Sequence, residues 1–269
     1  MGTTGGQARV RLIGLPTDSH SSFLRGAAQA PDAIRAALSS DHSNMATESG
    51  LELGTDIIVE DLGDLPLQED ARDFDRIRDI ASSPETTIFL GGDHMVSYPI
   101  VAGLASVHGP LNILHFDAHP DIYDDFEDDP LSHASPFARI MENGLANRLI
   151  QVGIRTMNVH CRAQTERFGV EVVEMRAFAP DRVPLPEAPV YISIDLDSLD
   201  PAFAPGVSHH EPGGLSSREL VSVLHRVRGP IIGADIVEYN PSRDINGMTA
   251  TVAAKLVKEL ASLAGGPDE

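Results

Sequence analysis

The sequence has little cysteine, no excess of basic residues and no long apolar run, and each shortage excludes a class of protein. The single cysteine among 269 residues, Cys161, excludes a disulfide framework. The 20 Lys and Arg residues against 40 Asp and Glu leave a net charge of −20, which argues against binding to nucleic acid or to an anionic membrane surface. No run approaches the ~18 consecutive apolar residues of a membrane span.

The expected location follows from the same shortages. A lone thiol fits a reducing compartment, where a buried and inert cysteine is the default. Residues 1–7 are rich in Gly and Thr and lack the apolar segment of a secretory signal peptide. We therefore predict a cytoplasmic protein.

Apolar runs of strand length alternate with helix-like segments along the whole chain. Such alternation is typical of βαβ units, so it predicts an α/β fold with a mostly parallel sheet and helices on both faces. The predicted strands are 9–15, 56–59, 86–90, 111–116, 148–153, 170–173, 191–194 and 231–236. The predicted helices are 32–38, 70–80, 96–106, 135–143, 216–227 and 248–263.

The most informative stretch is residues 117–121, DAHPD, directly after the predicted strand 111–116. Its ligand-type side chains stand at i, i+2 and i+4, and these positions face one side of an extended chain. Two carboxylates at a buried strand end are costly without a cation that neutralises them. The stretch therefore predicts a metal site.

Two further strand ends supply more ligand-type side chains, one after strand 86–90 and one after strand 191–194. Because sites in open α/β sheets form outside the carboxyl ends of the strands, we expect these side chains to meet. Four carboxylates carry too much negative charge for one divalent ion and suit a pair with bridging carboxylates. The set favours Mn²⁺ and also admits Ni²⁺. The predicted ligands are His94, Asp117, His119, Asp121, Asp195 and Asp197.

Three other features are candidates for chemistry beside the metals. His133 is a natural proton carrier, because the pKa of histidine lies near neutrality. Glu238 ends the last predicted strand in apolar surroundings, so its carboxylate needs a cationic partner, either a substrate cation or an arginine such as Arg243. The acidic segment 124–129 is either solvated surface or a rim that attracts cations and repels carboxylates.

These motifs resemble those of the ureohydrolase family, which includes arginases, agmatinases and guanidinobutyrases. The matching segments are GGDH at 91–94, DAHPD at 117–121, SHAS around His133, SIDLDSLDPAFAPG at 193–206 and GADIVEYNP at 233–241. Their wording is most similar to the plant arginase branch, which is itself close to agmatinases. The resemblance covers residues 10–263.

The resemblance implies a single three-layer α/β domain with a central eight-stranded, mostly parallel sheet. This domain would span residues 1–269, with residues 1–8 flexible. The family also implies a trimer or hexamer, of identical chains or with a homologous subunit. One Mn²⁺ would be held by His94, Asp117, Asp121 and Asp195, and the other by His119, Asp117, Asp195 and Asp197, so that Asp117 and Asp195 bridge the pair.

The resemblance also implies roles in the cleavage of a guanidino compound to urea and an amine. Glu238 would pair with the substrate guanidinium, and Asp121 would pass a proton to the departing amine. His133 would contact the substrate and exchange protons with solvent.

The substrate prediction rests on Tyr123, two positions beyond Asp121. Animal-type arginases begin to bind the substrate carboxylate and amino group at that position. Because acidic residues follow Tyr123 here, we expect agmatine rather than L-arginine as the first substrate. L-Arginine, guanidine, guanidinobutyrate and a biguanide-like cation remain alternatives. From other classes, the alternatives are a catalytically silent subunit of a mixed oligomer and a single-zinc deacetylase of related fold.

Overall fold

The computed structural model describes residues 7–229 and 231–265. Within them the chain forms eight strands and seven α-helices. Strands β1 to β8 are Ala8–Gly14, Ile57–Asp64, Thr87–Leu90, Leu111–Phe116, Ala146–Ile154, Glu171–Glu174, Val190–Asp195 and Ile231–Val237. Helices α1 to α7 are Ala30–Leu38, Asp73–Ala81, Ser97–His108, Pro136–Glu142, Val159–Phe168, Ser217–Leu224 and Met248–Gly265.

The predicted elements are present, with one helix added. Every predicted strand is found, and β2 differs most because it continues to Asp64. The helix missed by the sequence pattern is α5, which begins where the Asn158 side chain accepts a hydrogen bond from Cys161 N and ends at the left-handed Gly169. Of the segment predicted to be flexible, residues 1–6 lie outside the described residues, and Ala8 already begins β1.

The strands form one parallel sheet in the order β2-β1-β3-β8-β7-β4-β5-β6. One apolar core fills the space between the sheet and helices α1, α6 and α7, and a second lies under α2, α3 and α4. The central strands are buried on both faces, which explains their nearly continuous apolar runs. The prediction of an α/β fold with a central eight-stranded parallel sheet and helices on both sides is confirmed.

The topology gathers the predicted ligand segments at one edge of the sheet. Strands β3, β8, β7 and β4 are neighbours, and their carboxyl ends lead into the segments that carry the predicted ligands and Glu238. The pairing of β3 with β8 continues beyond the strands, since Glu238 N donates to Gly92 O at 2.8 Å. A Cβ at Gly92 would lie 1.6 Å from Thr17 O, so only glycine fits this close approach. No helix in the described part of the chain is long and apolar enough to cross a membrane.

Candidate active site

The predicted metal ligands meet in two adjoining groups at the carboxyl edge of the sheet. Within each group the ligand atoms all lie within 4.8 Å of one another. The first group is His94, Asp117, Asp121 and Asp195, and the second is Asp117, His119 and Asp197.

Asp117 divides its two oxygens between the groups. Its Oδ2 lies 3.3 Å from His94 Nδ1, and its Oδ1 lies 3.4 Å from His119 Nδ1. The first predicted ligand set is thus assembled completely. The second lacks Asp195, whose Oδ2 lies 3.3 Å from His94 Nδ1 while its Oδ1 accepts a hydrogen bond from Asp197 N at 2.7 Å.

The hydrogen bonds of His94 indicate which kind of ligand fits the first group. Ser193 donates its hydroxyl proton to Asp235 at 2.7 Å, so its oxygen accepts from His94 Nε2 at 3.0 Å. In the neutral imidazole this leaves a lone pair on Nδ1. That buried atom has no hydrogen-bond partner among the described residues, yet carboxylate oxygens of Asp117, Asp121 and Asp195 lie 3.0–3.3 Å away. A lone pair that faces three carboxylates fits a bound divalent cation.

The electrostatics of the carboxylates agree with that requirement. Burial raises the pKa of Asp195 well above its usual range, and the neighbouring Asp197 and Asp117 raise it further. Burial likewise raises the pKa of Asp197. Burial would lower the pKa of His94, but the carboxylates around it raise that pKa well above its usual value. The site therefore favours added positive charge, which two divalent cations bound by these side chains would supply.

Backbone N–H groups hold two carboxylates in place for a cation. Asp117 Oδ1 accepts from His119 N at 2.6 Å, and Asp197 Oδ1 accepts from Ala118 N at 3.1 Å. These bonds orient the carboxylates before any ligand binds, so less ordering is needed when a cation arrives.

Residues behind the ligands were missed in the sequence. His115 Nδ1 accepts from the Gln151 amide at 3.1 Å, and its Nε2–H then donates to Asp117 at 2.9 Å. Asp235 accepts from Ser193, Ser97 and Tyr191. The available signal was a polar residue inside an otherwise apolar strand, two positions before a ligand, as in His115 and Ser193.

Glu238 and His133 form a buried ion pair beside the first group. Glu238 Oε1 accepts from His133 Nδ1 and from His94 N, each at 2.9 Å, and the described residues show no hydrogen bond or ion pair between Glu238 and Arg243. Burial opposes charge on both groups, but the pair raises the pKa of His133 to about 9 and lowers the pKa of Glu238. His133 Nε2 lies 2.8 Å from Ser22 Oγ, which gives the imidazole a second partner.

Asp121 and Glu238 share an uncommon backbone conformation. Their φ angles are +44° and +62°, in the left-handed region that residues other than glycine rarely adopt. Such a conformation costs on the order of 1–3 kcal/mol and is concentrated at functional sites. Both residues lie where the chain leaves the sheet edge and turns toward the same cavity.

The cavity above these groups has a volume of about 290 Å³. Its floor includes Asp121, Asp195, Asp197 and Glu238, and its wall includes Tyr123, Phe126, Thr156, Asn158 and the buried Cys161. The ring of Tyr123 stacks on His160, with centroids 5.1 Å apart, and its hydroxyl accepts a hydrogen bond from Asn158.

The acidic segment 124–129 contributes Phe126 but none of its carboxylates to the cavity lining. Asp124 pairs with His160 at 3.0 Å, and Asp129 pairs with His20 at 3.1 Å. The part of this segment that lines the cavity is therefore uncharged, which weakens the expectation that the segment repels a substrate carboxylate.

Comparison with named relatives corrects the predicted cellular location. The chain is 50% identical over 279 residues to "Arginase 1, mitochondrial" of Arabidopsis thaliana, covering 96% of this chain and 82% of the relative. It is 49% identical to "Arginase 2, chloroplastic/mitochondrial" of the same plant, covering 96% and 81%. The prediction of a cytoplasmic protein is wrong by this comparison, because these names point to an organelle. A free cysteine indicates a reducing compartment but does not distinguish the cytoplasm from other reducing compartments.

Fold and sequence comparisons agree on the family. Residues 8–262 match the sequence profile described as "Arginase family". The solved structure "Arginase from Medicago truncatula" superimposes with a TM-score of 0.91 at 46% identity, covering 96% of this chain and 88% of that chain. "Guanidinopropionase" of Pseudomonas aeruginosa is 35% identical, covering 95% and 86%. The chain belongs to the arginase family and is a metal-dependent ureohydrolase that cleaves amidino C–N bonds at a binuclear site.

Proposed function

We propose that this ureohydrolase converts L-arginine to urea and L-ornithine, with two Mn²⁺ ions held by the two ligand groups. The observation that carries the proposal is Glu238, a buried carboxylate on the cavity floor beside the first group. A guanidinium is a planar cation whose N–H groups suit a carboxylate partner. Binding of the guanidinium to Glu238 would bring the guanidinium carbon next to both ligand groups.

Each residue at the cavity floor has a separate role in the proposed reaction. When bound, the two cations supply Lewis acidity that makes water a nucleophile at neutral pH. Glu238 orients the guanidinium so that its carbon faces the ligand groups. Water would add to the guanidinium carbon, and Asp121 would carry the proton that this water releases to the departing nitrogen as the C–N bond breaks. His133, kept protonated beside Glu238, exchanges protons with solvent at the cavity wall.

L-Arginine is proposed ahead of agmatine for two reasons. The plant relatives named arginase are 46–50% identical to this chain, whereas those named guanidino acid hydrolase and guanidinopropionase are 33–35% identical. In addition, the wall beside Tyr123 consists of uncharged residues, among them Thr156 and Asn158, instead of carboxylates. A substrate carboxylate is therefore acceptable there. Tyr123 would contact the aliphatic part of the substrate with its ring.

Urea release from a substrate panel tests this proposal. Protein loaded separately with Mn²⁺ and with Ni²⁺ is assayed with L-arginine, agmatine, 4-guanidinobutyrate and guanidine. We expect the highest kcat/KM for L-arginine with Mn²⁺. Agmatine ahead of L-arginine by about tenfold, which is ~1.4 kcal/mol of transition-state preference, would refute L-arginine as the substrate.

A ligand variant tests whether this chain's own site performs the reaction. We expect Asp197→Ala to lose a metal ion per chain and to abolish urea release. Asp125→Ala, which removes an exposed carboxylate outside the cavity lining, should leave both unchanged. Activity that survives Asp197→Ala would mean that another chain in the preparation is the catalyst.

A further inference from the structure

The cavity has a carboxylate at its mouth that belongs to neither ligand group. Glu211 lines the cavity, and its side chain is 40% exposed. Its Oε1 lies 3.9 Å from His119 Nε2, which is beyond hydrogen-bond distance. The Glu211 carboxylate accepts no hydrogen bond from residues 7–229 or 231–265, so its oxygens are available to a ligand.

The backbone of Glu211 is tied to the metal-ligand segment through one arginine. Arg155 donates to Glu211 O through Nε at 2.9 Å and through Nη2 at 2.6 Å. The same Nη2 donates to Asp197 O at 2.6 Å. The Glu211 backbone is thus held at a fixed position relative to the second ligand group.

Among the cavity-lining residues outside the two ligand groups and the Glu238–His133 pair, Glu211 supplies the one carboxylate. The lining residues Tyr123, Thr156 and Asn158 are uncharged. The ring of His209 lies beside those of His119 and His133, with centroids 6.0 and 5.3 Å away, and burial lowers the pKa of His209. A substrate that extends from Glu238 past His119 would bring its far end toward Glu211.

We propose that Glu211 binds the ammonium group that L-arginine carries at the end away from the guanidinium. Glu211 would then select amino-bearing guanidino compounds over guanidino acids without an amine. The inference rests on the proposed function, because it assumes that the guanidinium lies at Glu238.

The kinetic test compares substrates with and without the ammonium. For Glu211→Gln we expect kcat/KM to fall about tenfold for L-arginine and for agmatine, a loss of ~1.4 kcal/mol. The kcat/KM for 4-guanidinobutyrate, which lacks the amine, should change less than about twofold. Glu211→Asp should recover part of the loss, and Asp125→Asn is the charge-matched control with no effect on the ratio of the two substrates.

A binding measurement separates this inference from the proposed function. Calorimetry on the Mn²⁺-loaded protein compares L-ornithine with 5-aminopentanoate, which lacks the α-ammonium. Glu211→Gln should weaken L-ornithine about tenfold and leave 5-aminopentanoate unchanged. This result would support the inference even if the wild type released no urea, an outcome that would defeat only the proposed function.

Two results would overturn the inference. One is an unchanged ratio of L-arginine to 4-guanidinobutyrate in Glu211→Gln. The other is an equal loss for both substrates together with a lower Mn²⁺ content, because that pattern would mean that Glu211 acts by orienting His119.

Discussion

Replacement of Ser193 by alanine tests how the structure positions His94, a proposed metal ligand. The Ser193 hydroxyl donates to Asp235 at 2.7 Å and accepts from His94 Nε2 at 3.0 Å. All three side chains are buried. In Ser193→Ala the His94 Nε2–H loses its acceptor, so the imidazole is no longer held with Nδ1 facing the three carboxylates.

The expected magnitude can be reached in two independent ways. An unsatisfied buried donor costs about 1–3 kcal/mol. Loss of a residue that orients a metal-bound histidine weakens metal binding by about 10- to 100-fold, and each factor of ten is ~1.4 kcal/mol. Asp235 keeps its bonds to Ser97 and Tyr191, so the carboxylate itself stays in place. We therefore expect a metal affinity about 10- to 100-fold lower with the fold retained.

The assay is a Mn²⁺ titration of metal-free protein, followed by bound metal per chain and by urea release. Kcat at saturating Mn²⁺ should recover most of its wild-type value, since Ser193 does not reach the cavity. Ser222→Ala is the matched control, because within the described part of the chain that hydroxyl bonds only to Arg218 O on the surface of α6. A Mn²⁺ affinity within about twofold of wild type would refute this account of His94.

Two further predictions concern stability. Gly92→Ala should lower the free energy of unfolding by ~3 kcal/mol or more, because its Cβ would overlap Thr17 O. In Gly50→Ala the new Cβ meets nothing within 4 Å, so the variant should lose only ~1 kcal/mol, through its φ of +85°. Urea denaturation of both variants compares the two losses. Glu259 is buried, which by itself raises its pKa, but hydrogen bonds from Lys255 and His225 lower the pKa below its ordinary value of 4.5. Its contribution to stability is therefore complete above about pH 4.5 and is lost as the pH falls through the lowered folded-state pKa. Unfolding curves from pH 6 to pH 3 should show a shallower loss of stability in Glu259→Gln, and an identical loss in both proteins would contradict this assignment.

The local pattern of apolar residues was sufficient to predict most of the fold, because buried parallel strands are apolar on both faces and stand out in the sequence. Helix α5 was missed because only Cys161, Gln164 and Thr165 of its ten residues are buried, which leaves little apolar periodicity. The signal that remained was local, in the capping residue Asn158 and in Gly169.

The site was predictable as far as it depends on strand ends. Candidate ligands at the carboxyl ends of neighbouring strands must converge, so the two groups follow from the sheet. The direction of the acidic segment was not predictable, since it depends on His160 at the start of the missed helix and on His20, which lies 109 residues from Asp129 in the sequence. The expectation that this segment repels a substrate carboxylate was made without those tertiary contacts.

The left-handed backbone at Asp121 and Glu238 has a consequence for how this protein can be improved. Glycine would relieve the conformational cost at either position. At Glu238 that relief is outweighed, because a glycine would leave the buried His133 without its ion-pair partner. At Asp121 a glycine would instead remove a carboxylate from a buried cluster of carboxylates, so folding alone favours the residue that lacks the side chain. A screen of variants for heat resistance would therefore enrich Asp121→Gly and discard the group proposed to pass a proton. Thermostability and turnover compete at this position, and a library for a more durable enzyme should keep Asp121 fixed.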